Sequence, residues 1–225
     1  MNEQAIQIAI GDIRVDGDLT VPVRVTGVVL FAHGSGSSRH SSRNRYVALM
    51  LQARGFATLL LDLLTKQEEA IDERTAQFRF DVGMLADRLV AAIDWLAEEP
   101  ATASLPVGLF GASTGGAAAL VAAARRPERV RAVVSRGGWP DLAGSELANV
   151  ASPTLLIVGS FDAEVLRLNH EAMAKMRTDV CLELVRGATH LFEEPGALEH
   201  VARLAGGWFE NCFRRRPDFS RPIAE

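Results

Sequence analysis

The chain has 225 residues, 48% of them hydrophobic and 23% charged, with a formal net charge of −4. That length can bury a sizeable core and the balance is ordinary for a globular protein, while the charge argues against a nucleic-acid partner. No stretch approaches the ~20 apolar residues that span a bilayer, and no basic-then-apolar leader is visible, so the expectation is a cytoplasmic protein without a membrane partner.

Residues 5–10 and 13–21 read as two short strands around the Gly11-Asp12 turn. Residues 27–33 are a continuous apolar run, as expected of a strand buried on both faces, and they lead into His33-Gly-Ser-Gly-Ser-Ser38. A helix is predicted from about residue 42 to 54, stopped by Gly55, and residues 57–62 form a second buried strand. Residues 63–76 are polar and acidic and read as a loop. From Phe78, the apolar positions Val82, Leu85, Leu89, Ile93 and Leu96 recur at helical steps, giving one face of a long helix that ends near Pro100.

A strand from Leu105, a glycine-rich turn and an alanine-rich helix follow. Residues 130–135, 153–158 and 180–185 are further strands, with the loop Arg136-Gly-Gly-Trp-Pro140 after the first. Helices are predicted over about 163–176 and 195–213, and the run Arg214-Arg215-Arg216 reads as a solvated tail. Strand and helix alternate from Gly27 onward. That pattern predicts a single α/β domain over residues 1–225, with a mostly parallel sheet covered by helices on both faces.

The glycine-rich turn spells Gly111-x-Ser113-x-Gly115 between an apolar strand and a helix. On such a turn the serine hydroxyl is lifted above the sheet edge, and small flanking residues let strand and helix pass closely. Ligands of parallel sheets sit at the carboxyl ends of the strands. The residues placed there are His33-Gly-Ser-Gly36, Asp62, Ser113, Arg136, Asp162 and His190. Ser113, Asp162 and His190 stand in the chain order Ser…Asp…His of a hydrolytic triad, as nucleophile, orienting acid and proton acceptor. The backbone N–H groups of Thr114 and Ser35 are the expected oxyanion donors. Asp141 is a competing acid, and Asp162 has the alternative task of capping the helix after it.

Leu63, Leu64, Trp139, Phe161, Leu191 and Phe192 are candidates to line a modest apolar pocket. Arg136 is placed either to meet a substrate carboxylate or to pair with an acid such as Asp141. A rival reading is dinucleotide binding: Gly34-Ser-Gly36 follows a strand, and Asp62 ends the next. There the third glycine of the fingerprint falls on Arg39. Two cysteines are too few for a disulfide framework, and the five histidines lack close ligand spacing, so neither metal nor other cofactor is expected.

On His33-Gly-Ser-Gly-Ser-Ser38, Gly111-Ala-Ser-Thr-Gly-Gly116, Val158-Gly-Ser-Phe-Asp162 and Gly187-Ala-Thr-His-Leu-Phe192, the chain resembles the α/β-hydrolase superfamily, and within it the dienelactone-hydrolase-like enzymes. The resemblance implies a serine hydrolase that cleaves carboxylic ester, lactone or thioester bonds of small molecules through an acyl-enzyme on Ser113. Dienelactone hydrolases carry a cysteine nucleophile, and Ser113 in its place favours a serine esterase. No block of helices precedes the acid turn, so no sizeable lid domain is expected. A monomer or homodimer is expected. The same fold and triad also serve acyl transfer, perhydrolysis and lyase reactions, or persist in a non-catalytic binding module.

Overall fold

The sheet starts as a hairpin. Strands β1 (Asn2–Ile10) and β2 (Ile13–Val21) pair antiparallel from Asn2–Val21 to Ile10–Ile13, around Gly11 at φ +57°. The computed structural model describes residues 2–214, so the tail reading of Arg215 and Arg216 lies outside the described residues. Six parallel strands follow: β3 (Gly27–Ala32), β4 (Phe56–Leu61), β5 (Val107–Ala112), β6 (Val130–Arg136), β7 (Thr154–Gly159) and β8 (Val180–Val185). Their order across the sheet is β1-β2-β4-β3-β5-β6-β7-β8, with β2 joined antiparallel to β4. Every residue of β3, β4, β5 and β7 is buried, as continuous apolar runs covered on both faces require.

Successive side chains of these strands serve opposite faces. Val28 and Leu30 pack in one core cluster with α3 (Val82–Glu98) and α4 (Thr114–Arg125); α5 (Ala163–Met173) adds Ala172 to it. Val29 and Phe31 pack in the other with α1 (Ser42–Ala53) and α6 (Ala197–Arg214), through Leu51 and Phe209. The register sets Ala32 beside Gly111 and Ala112 beside Arg136, which brings the carboxyl ends of β3, β5 and β6 to one edge. No lid domain interrupts this plan.

Three local expectations are corrected. Residues 63–76 are not a loop but contain α2 (Lys66–Thr75). Its ten residues are polar nearly all round, so no apolar period shows in the sequence. The helix instead rests on a capping box, in which Glu68 N–H donates to Thr65 Oγ1 at 3.2 Å and Thr65 N–H donates to Glu68 Oε2 at 2.7 Å. It docks through Arg88 Nη2 to Glu68 Oε1 at 2.7 Å and Arg79 Nε to Asp72 Oδ2 at 2.7 Å. The long helix α3 starts at Val82, capped by Asp81, and not at Phe78, whose N–H is taken by Asp72 Oδ1 at 2.8 Å. After the Arg136–Pro140 loop the chain also forms a kinked 3-10 segment over Pro140–Asn149, which carries no apolar period.

Candidate active site

Ser113 lies between β5 and α4 with φ +52° and ψ −123°, a conformation that side-chain-bearing residues seldom adopt and that strand-to-helix packing must hold. The packing is tight enough to need its glycines. A Cβ on Gly111 would overlap Gly115 and Gly116, and one on Gly115 would overlap the Ala32 and His33 carbonyls. Ser113 N–H donates to Arg136 O at 3.1 Å, and Trp139 N–H donates to Ser113 O at 3.3 Å, so the turn is stitched to the end of β6. Gly137 there has the His190 ring alongside: its position for a Cβ lies 3.5 Å from His190 Cε1.

His190 Nδ1–H donates to Asp162 Oδ2 at 2.6 Å. Asp162 makes no side-chain bond to the helix it precedes, and Asp141 is exposed; of the two candidate acids, Asp162 is the one bonded to His190. The loops that carry the pair are tied together. Phe161 N–H donates to Ala188 O at 3.0 Å, and Gly187 N–H donates to Ser160 Oγ at 2.8 Å. Glu194 Oε1 accepts from Thr189 N–H at 3.0 Å and from its hydroxyl at 2.6 Å. A Cβ on Gly159 would come within 2.6 Å of Thr189 O, so that glycine admits the histidine loop. Ser160, Gly159 and Glu194 escaped sequence reasoning because their partners lie on another loop or five residues along the same one.

Ser35 and Thr114 line one cavity of about 80 Å³, together with Gly34, Leu63, Leu64 and Glu69. Thr114 opens α4, where the first N–H groups have no partner within the helix. His33 pins the loop that carries Ser35: its Nε2 accepts from Leu63 N–H at 3.0 Å, which leaves the proton on Nδ1, facing Gly34 O at 2.9 Å. Burial holds the His33 imidazole below its usual pKa, so it is neutral. Arg39 ties the same loop down, with its guanidinium against Asp62 and 3.4 Å from Asp18. Asp62 is thus engaged internally, and Arg39 occupies the place of the third fingerprint glycine, which leaves the dinucleotide reading without its acid.

The remaining predicted residues divide. Leu63 and Leu64 face the cavity, Phe192 is buried in the core beside Arg136, and Trp139 is half-buried. Phe161 and Leu191 are 73% and 41% exposed and do not line that cavity. Arg136 is buried, with no ion pair to Asp141 or to another acid among the described residues.

No helix among the described residues is long and apolar enough to cross a membrane. The Dienelactone hydrolase family model matches residues 15–209. The chain is 58% identical over 209 residues to a Mycobacterium tuberculosis H37Rv protein provisionally named a phosphoribosyl transferase, covering 93% of this chain and 46% of that one. It thus spans about half the length of the curated relatives it matches. A crystal structure of a dienelactone hydrolase from Anabaena variabilis is 58% identical, with a TM-score of 0.92 over 95% of this chain and 99% of that one. Est1E from Butyrivibrio proteoclasticus, 15% identical, shares the fold at a TM-score of 0.77 over 94% and 99% of the two chains. With the doubly covered sheet and the geometry at its edge, these likenesses place the chain in the dienelactone hydrolase family of α/β hydrolases.

Proposed function

We propose that the protein hydrolyses carboxylic esters of small molecules through an acyl-enzyme on Ser113. The observation that carries this reading is the 2.6 Å bond between His190 and Asp162 on the same strand edge as the strained Ser113 turn. In this state Ser113 Oγ has no hydrogen bond among the described residues, and such contacts commonly tighten when substrate arrives.

Ser113 Oγ adds to the ester carbonyl while His190 Nε2 takes its proton. Asp162 fixes the tautomer with the proton on Nδ1 and steadies the imidazolium that forms. The N–H groups of Thr114 and Ser35 receive the developing oxyanion at the mouth of the cavity. Collapse returns the proton from His190 to the departing alkoxide, and water then repeats the sequence on the acyl-enzyme. The transferase name of the mycobacterial relatives belongs to proteins about twice as long and is not carried over.

The test is turnover of short p-nitrophenyl esters by the intact protein and by Ser113→Ala. Loss of ~10³-fold or more in kcat supports the assignment. Equal rates, or an intact protein that neither turns over nor is acylated on Ser113 by a fluorophosphonate, would overturn it.

A further inference from the structure

Arg136 closes β6, and its backbone carbonyl accepts the Ser113 N–H. Its side chain is 7% exposed, and its Nε and Nη1 are buried without a hydrogen-bond partner. The charged neighbour it feels is another cation, Arg43 of α1; burial first, and Arg43 second, push the guanidinium down to about 10. It is therefore still protonated at neutral pH. The Phe192 ring lies 5.6 Å from its Cζ, a contact that offsets part of the charge. Arg43 is only half engaged: Nη1 is 3.0 Å from Glu193 Oε1, while its own Nε is buried without a partner. A groove of about 400 Å³, lined by Ser42, Arg43, Tyr46, Phe192 and Glu193, opens beside Arg43.

Buried charges are ordinarily paired or neutralised, because an unpaired one is unfavourable out of water. Two guanidinium groups with unmet donors, set together beside the Ser113 turn, meet neither condition. Resting on the reading of Ser113 as nucleophile, we propose that Arg136 and Arg43 form an anion subsite that receives a carboxylate or phosphate group carried by the substrate. The planar fork of a guanidinium matches such a group with two parallel N–H bonds. Glu193, whose side chain is 64% exposed, holds Arg43 until the incoming anion takes its place.

The experiment compares wild type, Arg136→Met and Arg43→Met on phenyl acetate and on its carboxylate-bearing analogue 4-acetoxybenzoate, alongside thermal melting in inorganic phosphate. The expected result is that the kcat/KM preference for the carboxylate ester falls ~10-fold or more on Arg136→Met, mainly through KM. Phosphate is expected to inhibit wild type competitively and to raise its melting temperature, both effects fading in the variants. Without anion, Arg136→Met is expected to melt no lower than wild type, since an uncompensated charge is gone; a purely structural arginine would leave it less stable.

If both esters lose equally while phosphate still stabilises wild type through Arg136, the ligand is a free anion, and the substrate assignment is overturned. If phosphate also has no Arg136-dependent effect, the subsite itself is overturned. Arg43→Met carries the same comparison should Arg136→Met not fold. If wild type hydrolyses neither ester and Ser113 resists acylation, the hydrolase reading fails instead, and the phosphate titration alone still decides the subsite.

Discussion

On the oxyanion-loop side of the cleft, Arg39 lies among three carboxylates, those of Asp16, Asp18 and Asp62, and its backbone N–H also donates to Asp62 at 2.7 Å. On the histidine side, Arg136 lies as deep or deeper and meets none. The first arginine has more partners than its charge requires, and it ties three segments of chain into one rigid wall. The second has donors to spare. Paired charge holds geometry; unpaired charge in a cleft is free to read what enters.

The largest test of this contrast falls on the one engaged carboxylate of the histidine wall. Asp162→Asn keeps the shape but favours the wrong imidazole tautomer, so kcat is expected to fall roughly 10⁴-fold in ester assays. Asp141→Asn is the control, and an equal loss there would move the acid role to Asp141. A middle-sized effect is expected on the other wall. Arg39→Met leaves three carboxylates facing one another, and unfolding in urea should show a loss of about 2 kcal/mol, discounted for their partial exposure. Arg136→Met is expected to move stability the other way or not at all. Losses of the same sign and size in both variants would break the contrast.

The smallest effect is expected from pH. The folded pKa of His33 lies below the ordinary 6.5, so the unfolded chain binds the proton more readily. The stability that neutral His33 contributes is complete above 6.5 and is lost as pH falls below it toward the folded value. Urea midpoints measured between pH 7.5 and 5 (~2.5 units, spanning the ordinary histidine range) should drop less for His33→Gln than for wild type. Parallel drops would free the oxyanion loop from His33.

Much of this was legible from residue order. The apolar runs gave the parallel strands because burial on both faces leaves no alternation to confuse them, and Ser113, Asp162 and His190 each follow such a run. Helix α2 was not legible, since a capping box and two ion pairs hold it instead of an apolar face. Phe161 and Leu191 were chosen by position after a strand, but position in a loop does not fix where a side chain turns, and both are exposed. The choice between Asp141 and Asp162 needed three dimensions, because the distance to His190 depends on how the β7 and β8 loops are tied. So did Arg136, whose missing partner is a fact of space alone.

Ser113, Asp162 and His190 are delivered by β5, β7 and β8, and the last of these strands is the edge of the sheet. A chain emerging from the ribosome therefore holds its hydroxyl 77 residues before its imidazole, and no shorter N-terminal fragment contains both. Val185 must pair with Gly159 before the histidine loop has a place to rest. During refolding, ester turnover should accordingly lag behind the recovery of helix signal and keep time with the closing of that edge, which makes catalysis itself a clock for the most distant pairing in the sheet.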